Sequence, residues 1–359
     1  MNNCDSFPRN WVEDDLENPI GRTPWVLNSL TNELTVCSTV ETTNGECAPW
    51  HDLLGDIESA SFLEGVKSVC DCAFFECPNL RYVQIGRSVI SIGEEAFAGC
   101  EKLESIALSD SVETIGNSAF ASCKFSSIKI PRLVVSFGGN PFVGCENLEV
   151  IDISENPNFV FVDGVLLDRE MTQIIRYDLS KSGHYFIPSI VTTIFADAFR
   201  KCERLLSIAI PDSVTFIGKE AFRDCLELSS VIIPCSVSSI NEGTFSGCWM
   251  LRSVKLQSHV SVIGSHAFEN CMELMSILIP VSVVTIEDSA FCGCKQLVYV
   301  SIPDSVKEIG DEAFRGCAYL KSITIPGSVE ILGTNPFAWC SRLSEIRVSG
   351  EVQNFKVVE

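Results

Sequence analysis

A motif built on Phe-x-x-Cys recurs eleven times in this chain, mostly at intervals of 23 residues. Clear copies are AFAGCEKLESIALSDSVETIG, starting at Ala96, and AFRGCAYLKSITIPGSVEILG, starting at Ala313. A fixed period of this length is typical of stacked repeats, in which each repeat packs mainly on its two neighbours. The phenylalanines are Phe74, Phe97, Phe120, Phe142, Phe199, Phe222, Phe245, Phe268, Phe291, Phe314 and Phe337.

Each repeat reads as one coil with two short extended segments and a tight turn. Leu103–Leu108 alternates apolar and polar residues, which is the pattern of a strand with one buried face. Ser111–Gly116 is a second extended segment, and its glycine permits a bend. In Ala119–Cys123 the Ala, Phe and Cys are expected to point inward. One coil buries too little to be stable alone, so the sequence predicts a repeat solenoid.

The cysteines favour a core role over a disulfide framework. Eleven of the 18 occupy the same repeat position, an odd number whose side chains would all point the same way. A reduced thiol packs as a small buried apolar group and is typical of a reducing compartment. We therefore predict a structural core ladder of stacked phenylalanines and cysteines. It comprises Phe97, Phe120, Phe222, Phe245, Phe268, Phe291, Phe314, Cys100, Cys123, Cys225, Cys248, Cys271, Cys294 and Cys317.

Motifs for catalysis or cofactor binding are missing from the sequence. The four histidines stand in no H-E-x-x-H or other ligand spacing, and there is no P-loop, G-x-S-x-G or Rossmann glycine set. Cys70, Cys72 and Cys77 are of the type that binds zinc, but no fourth ligand follows at a matching spacing. We predict no enzyme, no cofactor, and no catalytic or metal-binding residues.

The net charge of −21 argues against nucleic acid and anionic membrane surfaces, since both require a basic footprint. Self-repulsion at this charge favours a monomer. The first residues resemble no signal peptide, and no segment reaches the roughly 18 apolar residues of a membrane span. These features predict a cytoplasmic chain without membrane insertion.

The repeat positions that vary carry any binding specificity. The central outward position of the first strand is expected to line one face of a sheet, and this central row is the predicted site for a protein partner. Its members are Gln84, Ala107, Lys129, Asp152, Ala209, Ile232, Lys255, Leu278, Ser301, Thr324 and Arg347.

A second row, the acidic ridge, precedes the phenylalanine by two or three residues. It is interpreted either as a solvated edge or as a strip for divalent cations or a basic partner. Its members are Asp71, Glu94, Glu95, Asp197, Glu220, Glu242, Asp288, Asp311 and Glu312.

The period breaks once, between Phe142 and Phe199. Alignment of the strands places an insertion at 154–187, in which Asp163-Gly164 separates two apolar runs. Asp-Gly in this setting predicts a hairpin or a small β-meander. The coil before the insertion and the final coil are the two that carry Asn-Pro-Phe, so these coils mark interruptions of the array.

The predicted organisation follows from these breaks. Residues 1–20 are expected to be disordered, 21–65 to form a β-rich N-terminal cap, and 66–153 to form the first four repeats. The insertion spans 154–187, and repeats five to eleven span 188–348. Residues 349–359 form either a capping strand or the first strand of a truncated second insertion, since Asn354–Glu359 resembles Asn158–Asp163.

The phrase C-x-x-L-x-x-I-x-I-P-x-S-V-x-x-I-G-x-x-A-F resembles the 23-residue leucine-rich repeats of BspA-like surface proteins, from about Val66 to Val348. The WVLNSLTNELTV…APW element, the Asn-Pro-Phe coil and the VDGVLLD…IIRY insertion are also similar to that family. The resemblance implies a right-handed leucine-rich-repeat superhelix with a parallel β-sheet. It also implies adhesion or host-protein binding at a cell surface, and no shared catalytic residues.

Two functions are therefore expected from different classes. The first is a non-catalytic protein-interaction module, adhesin-like, that binds through the sheet face and the variable coil positions. The alternative is a cytoplasmic structural repeat protein with no role in adhesion. A solenoid surface without grafted chemistry favours either of these over an enzyme.

Overall fold

The computed structural model describes residues 25–40, 48–257 and 259–349, together with the backbone of 356–357. The chain divides into two compact units, Met1–Asn158 (unit 1) and Phe159–Glu359 (unit 2). The predicted disorder of residues 1–20 lies outside the described residues, as does most of 349–359.

Unit 1 is built from short strands. They are β1 (Trp25–Asn28), β2 (Glu33–Val36), β3 (Ser59–Phe62), β4 (Ser68–Val69), β5 (Tyr82–Gln84), β6 (Ser91–Ile92), β7 (Ser105–Ala107), β8 (Thr114–Ile115), β9 (Ser127–Lys129), β10 (Ser136–Phe137) and β11 (Val150–Asp152). The one helical segment in the described part of this unit is a 3₁₀ turn, His51–Leu53.

Each coil of unit 1 contributes one strand to each of two sheets. The first strands, called row A, pair in parallel as β2-β3-β5-β7 and β9-β11. The second strands, called row B, pair in parallel as β4-β6-β8-β10. The antiparallel hairpin β1-β2 opens row A, within the segment predicted to form a β-rich cap.

Unit 2 continues the same pattern. Its strands are β12 (Phe159–Val162), β13 (Val165–Asp168), β14 (Gln173–Tyr177), β15 (Gly183–Phe186), β16 (Thr193–Ile194), β17 (Leu205–Ala209), β18 (Phe216–Ile217), β19 (Ser230–Ile233), β20 (Ser239–Ile240), β21 (Ser253–Leu256), β22 (Val262–Ile263), β23 (Ser276–Leu278), β24 (Thr285–Ile286), β25 (Tyr299–Ser301), β26 (Glu308–Ile309), β27 (Ser322–Pro326), β28 (Ile331–Leu332), β29 (Glu345–Ser349) and β30 (Lys356–Val357).

The first three strands of unit 2 form an antiparallel meander, which was one of the two predicted forms of the insertion. Val162 pairs with Val165 across Asp163 and Gly164, which have φ of 49° and 75°. Positive φ at both central residues is the geometry of a type I′ hairpin turn. The third strand, β14, joins row B in parallel with β16, so the meander begins that sheet. The predicted solenoid with a parallel sheet, a β-rich cap and a hairpin insertion is confirmed.

The turn of each coil makes a third hydrogen-bonded ladder. In unit 2, the amides of Glu220, Phe222 and Asp224 donate to the carbonyls of Glu242, Thr244 and Ser246 in the next coil. Glu220 and Asp224 have φ of 51° and 59°. The turn therefore bends at two left-handed residues, which explains why Gly, Asn, Asp and Ser recur there.

The phenylalanine spine runs inside each unit. In unit 1 the stacked rings of Phe74, Phe97, Phe120 and Phe142 have centroids 5.2–5.8 Å apart. In unit 2 the rings from Phe199 to Phe337 are separated by 5.0–5.8 Å. All fourteen residues of the core ladder defined above are fully buried.

Each spine starts from an aromatic residue outside the repeat. Trp50 stacks on Phe74 in unit 1 with centroids 5.6 Å apart, and its indole N–H donates to the Ala73 carbonyl at 2.7 Å. Tyr177, from the meander, stacks on Phe199 in unit 2 at 5.0 Å. Both side chains are buried. They cover the first ring of the spine, which is what an end cap of a solenoid must do.

In unit 1 the structure explains why one coil carries Asn-Pro-Phe. In ordinary coils the amide of the spine phenylalanine donates to the next coil, but Phe142 donates to the Asn140 side-chain oxygen of its own coil at 3.0 Å. Pro141 has no amide hydrogen to satisfy. This coil can therefore end the ladder without leaving the buried Phe142 amide unpaired. The second Asn-Pro-Phe, at Phe337, lies in the last coil of unit 2 for which side chains are described.

The spine predicts a large cost for removing one ring. Phe222→Ala should lower the free energy of unfolding by about 3–5 kcal/mol, because a fully buried ring is replaced by a cavity. Urea denaturation followed by circular dichroism measures the change. Phe216→Ala is the control, since that ring is half exposed on row B and its loss should cost under about 1 kcal/mol. Equal midpoint shifts for the two variants would contradict a continuous spine.

The repeat glycine is needed where coils approach most closely. A Cβ on Gly310 would lie 2.6 Å from the amide nitrogen of Asp288 and 2.7 Å from the carbonyl carbon of Glu287, in the preceding coil. The sequence suggested that this glycine permits a bend, whereas the structure makes it a packing requirement.

Gly310→Ala should therefore destabilise the fold by about 1–3 kcal/mol, as expected for inserting a methyl group into a packed interior. The thermal midpoint measured by circular dichroism should fall. Gly55→Ala provides the matched control, because a Cβ at Gly55 meets no atom within 4 Å. An unchanged midpoint for Gly310→Ala would show that the coils can separate freely at this position.

Candidate interaction face

The register of row A brings the predicted central row onto one sheet face in each unit. In unit 1, Gln84 pairs with Ala107 and Lys129 with Asp152. In unit 2 the same register gives the pairs Ile232–Lys255, Leu278–Ser301 and Thr324–Arg347. Nine of the eleven members are exposed, whereas Asp152 and Ser301 are half-buried.

One member of this row was missed by sequence reasoning. Phe186 pairs with Ala209 in row A, so it occupies the central position of its coil, and 76% of its surface is exposed. The alignment had placed it at the end of the 154–187 insertion. The signal was present, since Tyr185-Phe186-Ile187-Pro188 matches Ile277-Leu278-Ile279-Pro280. Hence β15 is the first row A strand of unit 2.

Large apolar side chains gather on this face of unit 2. Leu278 is 74% exposed and Ile232 is 54% exposed. Tyr299 and Met275, on strand β25 and just before β23, are also more than half exposed. Together with Phe186 they form what we call the apolar patch.

The acidic ridge is largely part of the framework. Oδ1 of Asp71 accepts the Glu94 amide at 2.7 Å, and Oδ1 of Asp288 accepts the Asp311 amide at 2.7 Å, each one coil later. Carboxylates that accept amides between successive coils stabilise the stack.

Other ridge carboxylates form ion pairs along the stack. Glu220 lies 2.6 Å from the Arg200 guanidinium and 2.7 Å from that of Arg223, and Glu242 lies 2.6 Å from the Lys219 ammonium. These carboxylates already have amide or cationic partners within the chain. The contacts therefore support neither a strip for divalent cations nor an edge that is solvated throughout. Within the described residues, no cluster of three His, Cys, Asp or Glu side chains could hold a metal ion.

The cysteine ladder has a role beyond filling space. Nine of the eleven ladder thiols donate to the phenylalanine carbonyl of the preceding coil, as Cys100 Sγ does to Phe74 O at 3.1 Å and Cys271 Sγ to Phe245 O at 3.2 Å. That carbonyl also accepts the cysteine amide of its own coil. A thiol is a weak donor of the right length here, which explains why cysteine recurs where alanine would leave a gap.

Burial controls the chemistry of these thiols. Desolvation raises the pKa of Cys77 to about 11, and it also raises the pKa of Cys294. The pKa of Cys340, half-buried in the coil of Phe337, is lowered by hydrogen bonding between its sulfur and that of Cys317. Since the thiolate is the nucleophile, the buried ladder should be inert.

Thiol labelling tests this order of reactivity. Native chain treated with iodoacetamide at pH 8 should be modified at the exposed Cys72 and Cys235, and within the ladder first at Cys340. Mass spectrometry of peptides measures each site, and labelling in urea is the control that every cysteine can react. Equal native labelling of Cys271 and Cys235 would contradict a closed core.

The histidines form no recognisable catalytic arrangement in the described residues. His184 Nδ1 lies 2.6 Å from Ser207 Oγ, but the pair is open to solvent on the row A face, and no carboxylate among the described side chains is hydrogen-bonded to the imidazole. A nucleophilic serine needs a base that is itself oriented by a third group. Likewise, the part of the chain that the structure describes contains no helix long and apolar enough to span a membrane.

A fold of stacked 23-residue coils with two parallel strand rows defines a leucine-rich-repeat solenoid. The chain belongs to the BspA-type leucine-rich repeat family, whose model matches residues 56–162, 177–298 and 261–357. The resemblance inferred from the repeat phrase is thereby confirmed. No curated protein matches the chain.

One solved structure shows the same fold, and two others are similar in sequence. A leucine-rich repeat protein from Eubacterium ventriosum is 26% identical, with a TM-score of 0.62 over 81% of this chain and 92% of that one. A leucine rich cell surface protein from Faecalibacterium prausnitzii is 23% identical, with a TM-score of 0.48 over 91% and 93%. The pneumococcal vaccine antigen PcpA is 24% identical, with a TM-score of 0.45 over 84% and 68%.

Proposed function

We propose that this chain is a non-catalytic protein-binding module whose ligand docks on the row A face. The observation that carries this proposal is the exposure of Phe186, Ile232 and Leu278 in one register row of unit 2. Leu278 stands on β23, which pairs with both β21 and β25, and Ile232 and Phe186 stand on strands paired with β21 and β17. Their backbone is therefore already positioned for a partner.

The apolar patch is the type of surface that anchors protein partners. Isolated apolar residues on a surface need no explanation, whereas a contiguous group is typical of an interaction site. Aromatic and large aliphatic side chains also supply most of the energy in protein interfaces. The inward positions of the same strands are buried and identical in type from coil to coil, so they cannot discriminate between ligands.

The competing function is a purely structural repeat protein. In that case the outward residues would serve only solubility, and an apolar patch on a chain of net charge −21 would have no role. The patch therefore favours binding.

We also propose display at a cell surface, as the BspA-like resemblance implies. Protease shaving of intact cells tests that location, because a cytoplasmic chain would stay protected.

Leu278→Asp tests the proposed face. A buried carboxylate at the centre of an interface should reduce the recovery of a bound partner by about tenfold or more, the equivalent of about 1.4 kcal/mol. The measurement is affinity capture by the purified chain from the cells that express it, quantified by mass spectrometry against the unmodified chain.

Val281→Asp is the matched control. Val281 is as exposed as Leu278 but lies in the turn beyond strand β23, outside row A. Partner recovery should be unchanged by this variant, and circular dichroism should show that both variants fold. If Leu278→Asp and the unmodified chain recover the same proteins in equal amounts, the row A face is not the binding site.

A further inference from the structure

The row A face of unit 2 differs in charge from the chain as a whole. Three outward rows form this face: the central row and the positions two and three residues before it. In one coil these are Lys255, Ser253 and Arg252. In the coils from Phe186 to Arg347 these rows carry four cations, Arg252, Lys255, Lys321 and Arg347, all exposed. Their one carboxylate is Glu345, which pairs with Arg347 at 2.7 Å.

The same rows in unit 1 have the opposite character. They hold five carboxylates and two cations, and the cations Arg81 and Lys129 both form ion pairs, with Glu104 and Glu155 at 3.2 and 2.9 Å. The five carboxylates are Glu33, Glu58, Glu104, Glu149 and Asp152. The chain has 47 acidic residues, yet the three rows of the unit 2 face carry one carboxylate, whereas the same rows of unit 1 carry five.

Cations and apolar side chains are interleaved on the unit 2 face. Lys255 stands between Ile232 and Leu278 in the central row. Arg252 lies on the same coil, where Glu273 reaches its guanidinium only at 3.8 Å. Among the described side chains, neither Lys255 nor Lys321 forms an ion pair. A ligand with carboxylates beside apolar residues would satisfy both sets of groups.

Resting on the proposed function, we propose that the ligand of the unit 2 face is an extended acidic polypeptide segment with interspersed apolar residues. The cations of this face attract an acidic segment and repel basic proteins, which carry the same sign of charge. The apolar patch anchors its aliphatic or aromatic side chains, and Lys255 and Lys321 pair with its carboxylates.

The dimensions set the length of this segment. Neighbouring parallel strands lie about 4.8 Å apart, so Phe186 and Leu278, four coils apart, are separated by roughly 19 Å. An extended chain advances about 3.3 Å per residue, so about six residues cover this distance. The large apolar side chains occupy every second coil, about 10 Å apart, which is about three residues of an extended ligand.

The experiment is selection of a random 12-residue peptide library, displayed on phage, against the full chain. Enriched peptides should be acidic, with apolar residues about three positions apart. Synthetic copies of the enriched peptides should lose at least tenfold in affinity for Lys255→Glu and for Leu278→Asp. Raising NaCl from about 50 mM to about 500 mM should also weaken binding, because salt screens exposed charge pairs.

Two matched controls locate the effect. Lys295→Glu makes the same charge change in a turn outside row A, and Val281→Asp introduces the same carboxylate beside the face. Both should bind the peptides as the unmodified chain does. If Lys295→Glu weakened peptide binding as much as Lys255→Glu, the loss would come from the change in net charge and not from the row A position. That result would overturn the proposal.

The remaining outcomes separate this inference from the proposed function. If the enriched peptides are neutral or basic but lose binding to Leu278→Asp, the acidic ligand is overturned and the proposed binding face still stands. Peptides insensitive to every row A variant would overturn both. Failure to enrich any peptide would overturn an extended ligand. Concentration-dependent dimers in sedimentation, abolished by Lys255→Glu, would replace the acidic segment by a second copy of this chain.

Discussion

Backbone hydrogen bonding between successive coils is the interaction on which everything else in this protein depends. It repeats in row A, in row B and again through the turn, where Phe222 donates to Thr244. Because all three ladders advance by one period, every coil is held in the same register. Equivalent side chains then stack on one another, whether they are spine phenylalanines, ladder thiols or outward residues.

That register explains why the repeat phrase is restrictive in some positions and free in others. A glycine such as Gly310 faces the backbone of the previous coil, and a cysteine such as Cys271 supplies a hydrogen bond to a carbonyl that is already buried. The outward positions of row A point away from the buried core, and most of them are exposed. Variation there has no cost to the stack, so those positions can be used for recognition.

The ends of a ladder need a different solution from its interior, and the chain uses three. Trp50 and Tyr177 close the spine at the start of each unit, and Asn140 satisfies the amide of Phe142 where the ladder of unit 1 ends. The meander supplies both Tyr177 and the first strand of row B in unit 2. Departures from the repeat are therefore caps, and the proposed binding face lies in regular coils.

The sequence alone determined the period, the inward positions and the family, because a core repeated at a constant spacing leaves a regular apolar pattern that can be read directly. It also located the Asp163-Gly164 hairpin, since that turn is a local property of two residues. Three features depended on tertiary structure.

Phe186 joined the central row only once β15 paired with β17, because the repeat spacing breaks before it and the matching Tyr185–Pro188 phrase stands outside the regular period. The acidic ridge became a set of amide acceptors and ion pairs once neighbouring coils brought Asp71 to Glu94 and Glu220 to Arg200. The contrast in charge between the two row A faces is also a result of stacking. Each repeat places one side chain at each outward position, and only the stacked coils bring these side chains together on one face.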